Sequence, residues 1–241
     1  MLPIVLSIAT FFSTFLGGIT ALKNQKIIHR IMGYTAGVLL GVVAFDLLPE
    51  IFDRMREGNF NPTGPMVALV LGFLVFHIIE KSILLHSVHE RHYGQHVHPH
   101  VGIASALALS GHSFLDGVGI GLGFQAGNAV GIAVAIAVIA HDFTDGMNTV
   151  ILMLHNKNTT ARAKKMLLLD AFAPVVGAAS TLLFTLPSYG LILYLGFFAG
   201  FLLYIGASDI LPQAHSKDSS RVTIGLTVLG ALFMFVVTRF A

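Results

Sequence analysis

His112, Asp116, His141 and Asp145 belong to two copies of one pattern, His-x-Phe-x-Asp-Gly. The first reads HSFLDG from His112 to Gly117, and the second HDFTDG from His141 to Gly146, 29 positions later. In each copy the imidazole and the carboxylate are four residues apart, so on a helix both project from one face. Two imidazoles and two carboxylates without sulfur form a nitrogen and oxygen donor set for a borderline divalent metal. Zn²⁺ takes His and Asp at about 2.0–2.2 Å, and the same donors suit Fe²⁺, Mn²⁺, Co²⁺ or Ni²⁺. A plainer reading stays open, in which each His–Asp pair neutralises itself as a polar clamp between packed helices. Two identical pairs, with Asp142 beside the second histidine, favour the metal.

Both copies lie in strongly apolar surroundings. The 241-residue chain is 55% hydrophobic and 11% charged, with a mean hydropathy of +0.80; soluble domains carry about 25% charged residues. Residues 1–22, 171–208 and 222–238 contain no Asp, Glu, Lys or Arg. About 20 apolar residues cross the hydrocarbon as a helix, so the composition predicts an integral membrane protein. Charge placed mid-membrane costs at least about 3 kcal/mol, so the His–Asp pairs must face each other, water or a cation.

Turn and charge signals divide the chain into eight predicted spans, near 2–22, 31–52, 65–86, 101–123, 128–154, 165–186, 190–212 and 221–240. The alternating pattern of a membrane barrel is absent, so the spans are read as helices of one transmembrane domain covering residues 1–241. The N-terminus lacks the basic region of a signal peptide, and 2–22 is read as a retained span. His112 then lies mid-span in span 4 and His141 mid-span in span 5, running antiparallel, so that His112 can stand level with Asp145 and Asp116 with His141. Lys and Arg concentrate in the loops after spans 1, 3, 5 and 7, which the positive-inside rule places in the cytoplasm, with both termini outside.

The net charge of +2 is small and the basic residues are dispersed, which argues against a nucleic-acid-binding face. With zero cysteines, disulfides and thiolate metal sites are excluded. The segment DGVGIGLG follows no strand and is not a nucleotide loop; Gly117/Gly121 and Gly119/Gly123 read instead as spaced small residues that admit a neighbouring helix. Pro174 is expected to kink or break span 6.

AFDLLPE (Ala44 to Glu50) in span 2 is echoed by ASDILPQ (Ala207 to Gln213) in span 7. Those spans run in opposite directions, as do 4 and 5. Matched motifs on antiparallel spans predict an inverted repeat around the central 4/5 pair, an architecture that carries a binding site near the midplane.

With these motifs in place, the sequence resembles the ZIP family of divalent metal transporters along essentially its whole length. Members have eight spans, both termini outside and a histidine-bearing cytoplasmic loop between spans 3 and 4. Their span 4 motif, His-Asn-x-x-[Asp/Glu]-Gly, is similar to His112-Ser113-Phe114-Leu115-Asp116-Gly117. Their span 5 motif, His-[Glu/Asn/Asp]-x-x-[Glu/His]-[Gly/Leu], is similar to His141-Asp142-Phe143-Thr144-Asp145-Gly146. The resemblance implies a primary metal site of His112, Asp116, His141 and Asp145, and a homodimer. Some relatives hold a second metal with the Asn position of span 4, the residue after the span 5 His, and a span 6 carboxylate. Here those places fall on Ser113, a poorer ligand, on Asp142, and on apolar residues of DAFAPVVGA, with Asp170 about one turn earlier. A second site is therefore expected to be weak or absent.

His86, His89, His92, His96, His98 and His100 crowd the predicted loop 86–100, and a histidine-rich tract reads as weak metal binding. As a cytoplasmic segment it could receive metal or regulate transport; a solvated loop without a role is the alternative. Asp46, Glu50, Asp209 and Asp170 are candidates for the ion's route, with hydrated helix-end acids as the plain reading for Glu50. His77, Glu80 and Lys81 are expected to form a local cluster on span 3.

The leading expectation is a transporter, not an enzyme, with no catalytic cofactor, moving Zn²⁺ or a related ion such as Fe²⁺, Mn²⁺ or Cd²⁺ across the plasma or inner membrane into the cytoplasm. An intramembrane zinc hydrolase, in which an Asp activates metal-bound water, is the competing class; it lacks nucleophile or oxyanion candidates. A metal sensor without transport is a weaker third.

Overall fold

A computed structural model of the chain describes residues 1–23, 28–91, 99–216 and 221–240, and among these the regular structure is entirely helical. Eight rods follow in order. α1 is Leu2–Lys23. α2 consists of Ile28–Val42, a π-helical segment Val43–Leu47, and Leu48–Glu57. α3 is Thr63–Arg91, α4 Pro99–Ala126 and α5 Asn128–His155. α6 is Thr160–Ser180, continued by a 3₁₀ turn Thr181–Leu183. α7 consists of Ser188–Leu203, a π segment Tyr204–Ile210, and Leu211–His215. α8 is Arg221–Phe240. Seven of these rods are long and apolar enough to cross a membrane, and α3 contributes an apolar stretch Thr63–Ile79. The chain is an all-α, multi-pass membrane protein.

Large apolar side chains cover its exterior, among them Val5, Phe12 and Leu16 on α1, Val70 and Ile78 on α3, and Val228 and Leu232 on α8. That is the arrangement expected where the solvent is lipid. α5 is the most enclosed of the seven crossing rods. Its inward face is lined with small residues such as Ala133, Ala135 and Ala137, all fully buried.

α1, α4, α5 and α6 pack as one group and α2, α3, α7 and α8 as another, with α2 also lying against α5. Glycines bring the rods of each group into backbone contact. A Cβ on Gly146 would stand 1.9 Å from the carbonyl oxygen of Thr14, and one on Gly17 1.9 Å from that of Phe143, so α1 and α5 touch. Gly117 and Gly177 join α4 to α6 against Pro174 and Phe114 in the same way. In the second group Gly37 and Gly230 join α2 to α8 against Thr227 and Tyr34, while Gly200 and Gly72 join α7 to α3 against Leu69 and Phe197. The registers correspond. Tyr34, Gly37 and Asp46 on α2 have counterparts 163 positions on, at Phe197, Gly200 and Asp209, and Leu69 and Gly72 have theirs 158 positions on, at Thr227 and Gly230.

Two sequence expectations change. α3 continues to Arg91 rather than ending near 86, so the backbone of His86 and His89 is helical; the stretch Lys81 to Arg91 contains no Gly or Pro to stop it. α6 runs through Pro174 without a break. The neighbouring rod supports it there, since the backbone of Pro174 lies against Gly117, and membrane helices tolerate proline where packing secures the freed backbone groups.

Candidate metal centre

α4 and α5 are joined through the single residue Gly127. Gln125 stiffens this end by donating to Phe184 O at 2.8 Å and accepting from Leu186 N at 3.1 Å. The tight connection fixes the register between the two repeated motifs. His112 Nε2 lies 3.2 Å from Asp116 Oδ2 on its own helix and 3.5 Å from Asp145 Oδ2 on the other. His141 Nε2 lies 3.4 Å from Asp116 Oδ2 and 3.7 Å from Asp145 Oδ2. One ligand atom from each of the four residues falls within 4.8 Å of all the others. The expected levelling of each histidine with the opposite aspartate is therefore what the helices produce.

The geometry can be compared with what an ion needs. Four ligands about 2.1 Å from a tetrahedral centre stand about 3.4 Å from one another, and the four separations above bracket that value. Asp116 and His141 are fully buried, Asp145 nearly so, and the His112 side chain is 13% exposed. Beyond the contacts just given with one another, Nε2 of both histidines, both oxygens of Asp116 and Oδ2 of Asp145 have no hydrogen-bond partner among the described residues. Buried polar groups are ordinarily paired, so this constellation fits a cation at its centre. The orientation of His141 agrees: its Nδ1 lies 2.9 Å from Ala137 O, which can only accept, so Nδ1 carries a proton and Nε2 is the nitrogen turned to the carboxylates, where a metal would take its lone pair.

The remaining candidates fall around this centre. Asp142 is fully buried; its Oδ2 accepts from Thr14 at 3.3 Å, and its Oδ1 lies 3.7 Å from His141 Nε2. Ser113 donates to Asp170 Oδ1 at 2.7 Å, and Thr149 donates to Asp170 Oδ2 at 2.7 Å. Asp170 thus joins α6 to both α4 and α5. Asp46 lies half-buried in the π segment of α2, and Glu50 pairs with Arg54 at 2.5 Å. Arg54 also donates to Ala126 O at the end of α4, where an unpaired carbonyl and the helix dipole favour a cation. Asp209 lies in the π segment of α7 and accepts from Gln213. The exposed His77 packs edge-on to Tyr204, at 5.6 Å between ring centroids, which places it against α7. Of the histidine tract, His100 opens α4 exposed; His92, His96 and His98 lie outside the described residues, as do the side chains of His86 and His89.

The pattern of the ZIP zinc transporter family matches residues 86–238, a stretch that contains both motifs. The chain belongs to the ZIP family. Two curated zinc transporters named ZupT are similar to it from end to end. One, from Chlorobaculum parvum, is 28% identical with 98% of this chain and 94% of that protein covered. The other, from Lysinibacillus sphaericus, is 27% identical with the same coverage. Membership in the family makes divalent metal transport the protein's function, and the buried His/Asp cluster on α4 and α5 is a site that fits it.

Sequence reasoning passed over Thr14, Thr149 and Arg54. The first was detectable: Ser7, Thr10 and Thr14 recur at helical spacing in an uncharged span and are fully buried. Thr149 and Arg54 carried no such signal, because each acts on a group distant in sequence.

Proposed function

We propose that this ZIP family member carries Zn²⁺, or a divalent ion of similar ligand preference, into the cytoplasm through His112, Asp116, His141 and Asp145. The observation that carries the reading is the convergence of these four buried side chains within 4.8 Å, with their ligating atoms otherwise unpartnered. Two carboxylates balance the ion's charge and two imidazoles replace part of its hydration shell, which lowers the cost of holding it at membrane depth. Release requires the site to open on the opposite side. The matched glycine registers between α2 and α7, and between α3 and α8, support the inverted repeat inferred from the motifs and thus a site that two similar halves can expose in turn.

The proposed ligand-bearing helices pack most extensively with α1 and α6, and more sparsely against α2 and α7 of the other group. That division supports movement of α4 and α5 against a scaffold containing α2 and α7. Ser113 and Asp170 are engaged with each other, so a second ion beside the first would have Asp142 as its main ligand and would bind weakly. Residues 1–241 form one transporter domain in this reading, with basic loops in the cytoplasm and both termini outside. Zinc flux into liposomes containing only this protein tests it: flux in the parent with none in an Asp116→Ala variant supports transport through the site. Metal binding without flux would point to a sensor.

A further inference from the structure

We propose that Phe201 on α7 is a positioning residue for His112, holding its ring so that Nε2 points at Asp116 and Asp145. The two histidines of the centre are secured differently. His141 is pinned by its backbone hydrogen bond to Ala137, whereas among the described residues no hydrogen bond fixes Nδ1 of His112. His112 is held by rings instead. Phe201 meets it at 4.8 Å between centroids and 65° between planes, and Phe76 meets it at 6.2 Å and 89°. Phe76 in turn lies 3.9 Å from Phe201, and Phe198 lies 5.6 Å from it, so Phe201 is itself wedged in place.

The wedge is keyed to α4. A Cβ on Gly119 would come within 2.3 Å of the Phe198 ring, so that ring fills a notch available only at glycine. Phe198 and Phe201 are both 1% exposed. Edge-to-face aromatic contacts contribute about 0.5–1.5 kcal/mol beyond area burial, enough to favour one ring orientation over its rotamers. Phe76 and Phe201 belong to the helix group that does not supply the metal ligands. One of the four ligands is thereby braced from outside its own group, and ion affinity follows the seating of α7 on α4. This inference deepens the transport reading and rests on it for the metal.

The test has a metal-dependent and a metal-free arm, both on the full chain in nanodiscs. In the first, Co²⁺ alone is titrated and its visible spectrum followed. Phe201→Leu, or Phe201→Met should the leucine variant not fold, is expected to weaken Co²⁺ binding about tenfold, near 1.4 kcal/mol, and to change the band shape. Phe73→Leu, three residues before Phe76 on α3 but packed on Tyr204, should stay within about twofold. In a His112→Ala background, Phe201→Leu should add nothing, since effects through one residue are not additive. Equal weakening with and without His112, or unchanged binding, would overturn the proposal.

In the second arm, ring proton resonances of His112 are recorded without metal, assigned with His112→Ala. In Phe201→Leu the His112 side-chain couplings and its NOEs to Asp116 and Asp145 should change from those of one rotamer to averaged ones, while those of His141 stay in place. Unchanged His112 couplings and NOEs would refute the positioning role. Absence of Co²⁺ binding in the parent would refute the metal reading alone, leaving this arm to decide on Phe201.

Discussion

Asp116 on α4 reaches across to His141 on α5, with Oδ2 3.4 Å from Nε2, while the same oxygen lies 3.2 Å from His112. A single carboxylate therefore links both imidazoles of the centre. Asp116→Ala removes one proposed ligand and half of the charge that the two carboxylates of the centre would offer an ion. Uptake of Zn²⁺ into reconstituted vesicles should fall to background, and Asp145→Ala should do the same, because each loss leaves the ion under-compensated in a low dielectric. Near-normal flux from either variant, with the protein inserted and folded, would return the pairs to a structural clamp.

The crossing of α1 and α5 gives a second prediction. Gly146→Ala places a methyl group 1.9 Å from the carbonyl oxygen of Thr14, which the backbone of α1 cannot yield without moving away. Gly111→Ala puts its methyl where no atom of another helix among the described residues lies within 4 Å. The first should lower the thermal midpoint in detergent and abolish flux, since α5 carries two of the four proposed ligands. The second should match the parent or slightly exceed its stability, because alanine favours helix over glycine by about 1 kcal/mol. Equal behaviour of the two would contradict the backbone contact.

Asp170 offers a third. Its two oxygens accept from Ser113 and Thr149, and hydrogen bonds to charged groups contribute about 1.5–3 kcal/mol each. Thr149→Val preserves shape and leaves one carboxylate oxygen unpaired, so thermal stability should drop by that order. Ser113→Ala should do likewise, and an Asp170→Asn variant should make the Thr149→Val loss smaller. A double-mutant cycle on melting midpoints checks the coupling.

The histidine tract gives a fourth. His86, His89, His92, His96, His98 and His100 changed together to Ser should alter the apparent affinity or regulation of zinc flux and leave the pore working, since the α4 and α5 ligands remain. Complete loss of flux would make the tract an obligatory relay, and unchanged flux at every zinc concentration would leave it without a role. Acidification should shrink the difference, because protonated imidazoles do not bind metal.

The centre was legible in the sequence because helical periodicity is local: His and Asp four apart need only a helix to share a face, and a one-residue turn at Gly127 brings the two faces level. The helical class followed equally from the uncharged runs. Packing partners were not legible. The hydrogen bonds of Asp170 were hidden because its partners, Ser113 and Thr149, lie 57 and 21 positions away, and nothing in the chain declares that pairing. The π segments were hidden as well. Their residues, VAFDL and YIGASDI, read as ordinary helix.

Those segments have a consequence for how the chain tolerates length changes. An α-helix turns about 100° per residue, and a π turn takes up one residue more than an α turn, so the wide turn Val43–Leu47 absorbs an extra residue and leaves the flanking parts of α2 nearly in the phase of a continuous α-helix one residue shorter. Deleting one residue within Val43–Leu47 would therefore close the turn to α pitch and leave Leu48–Glu57 near its present orientation. Deleting one within Ile28–Val42 would instead rotate the stretch before the gap against the stretch after it by about 100°, setting the α8-facing Gly37 at odds with the Arg54 that reaches the end of α4. The wide turn is a place where α2 can lose a residue that its neighbours along the rod cannot.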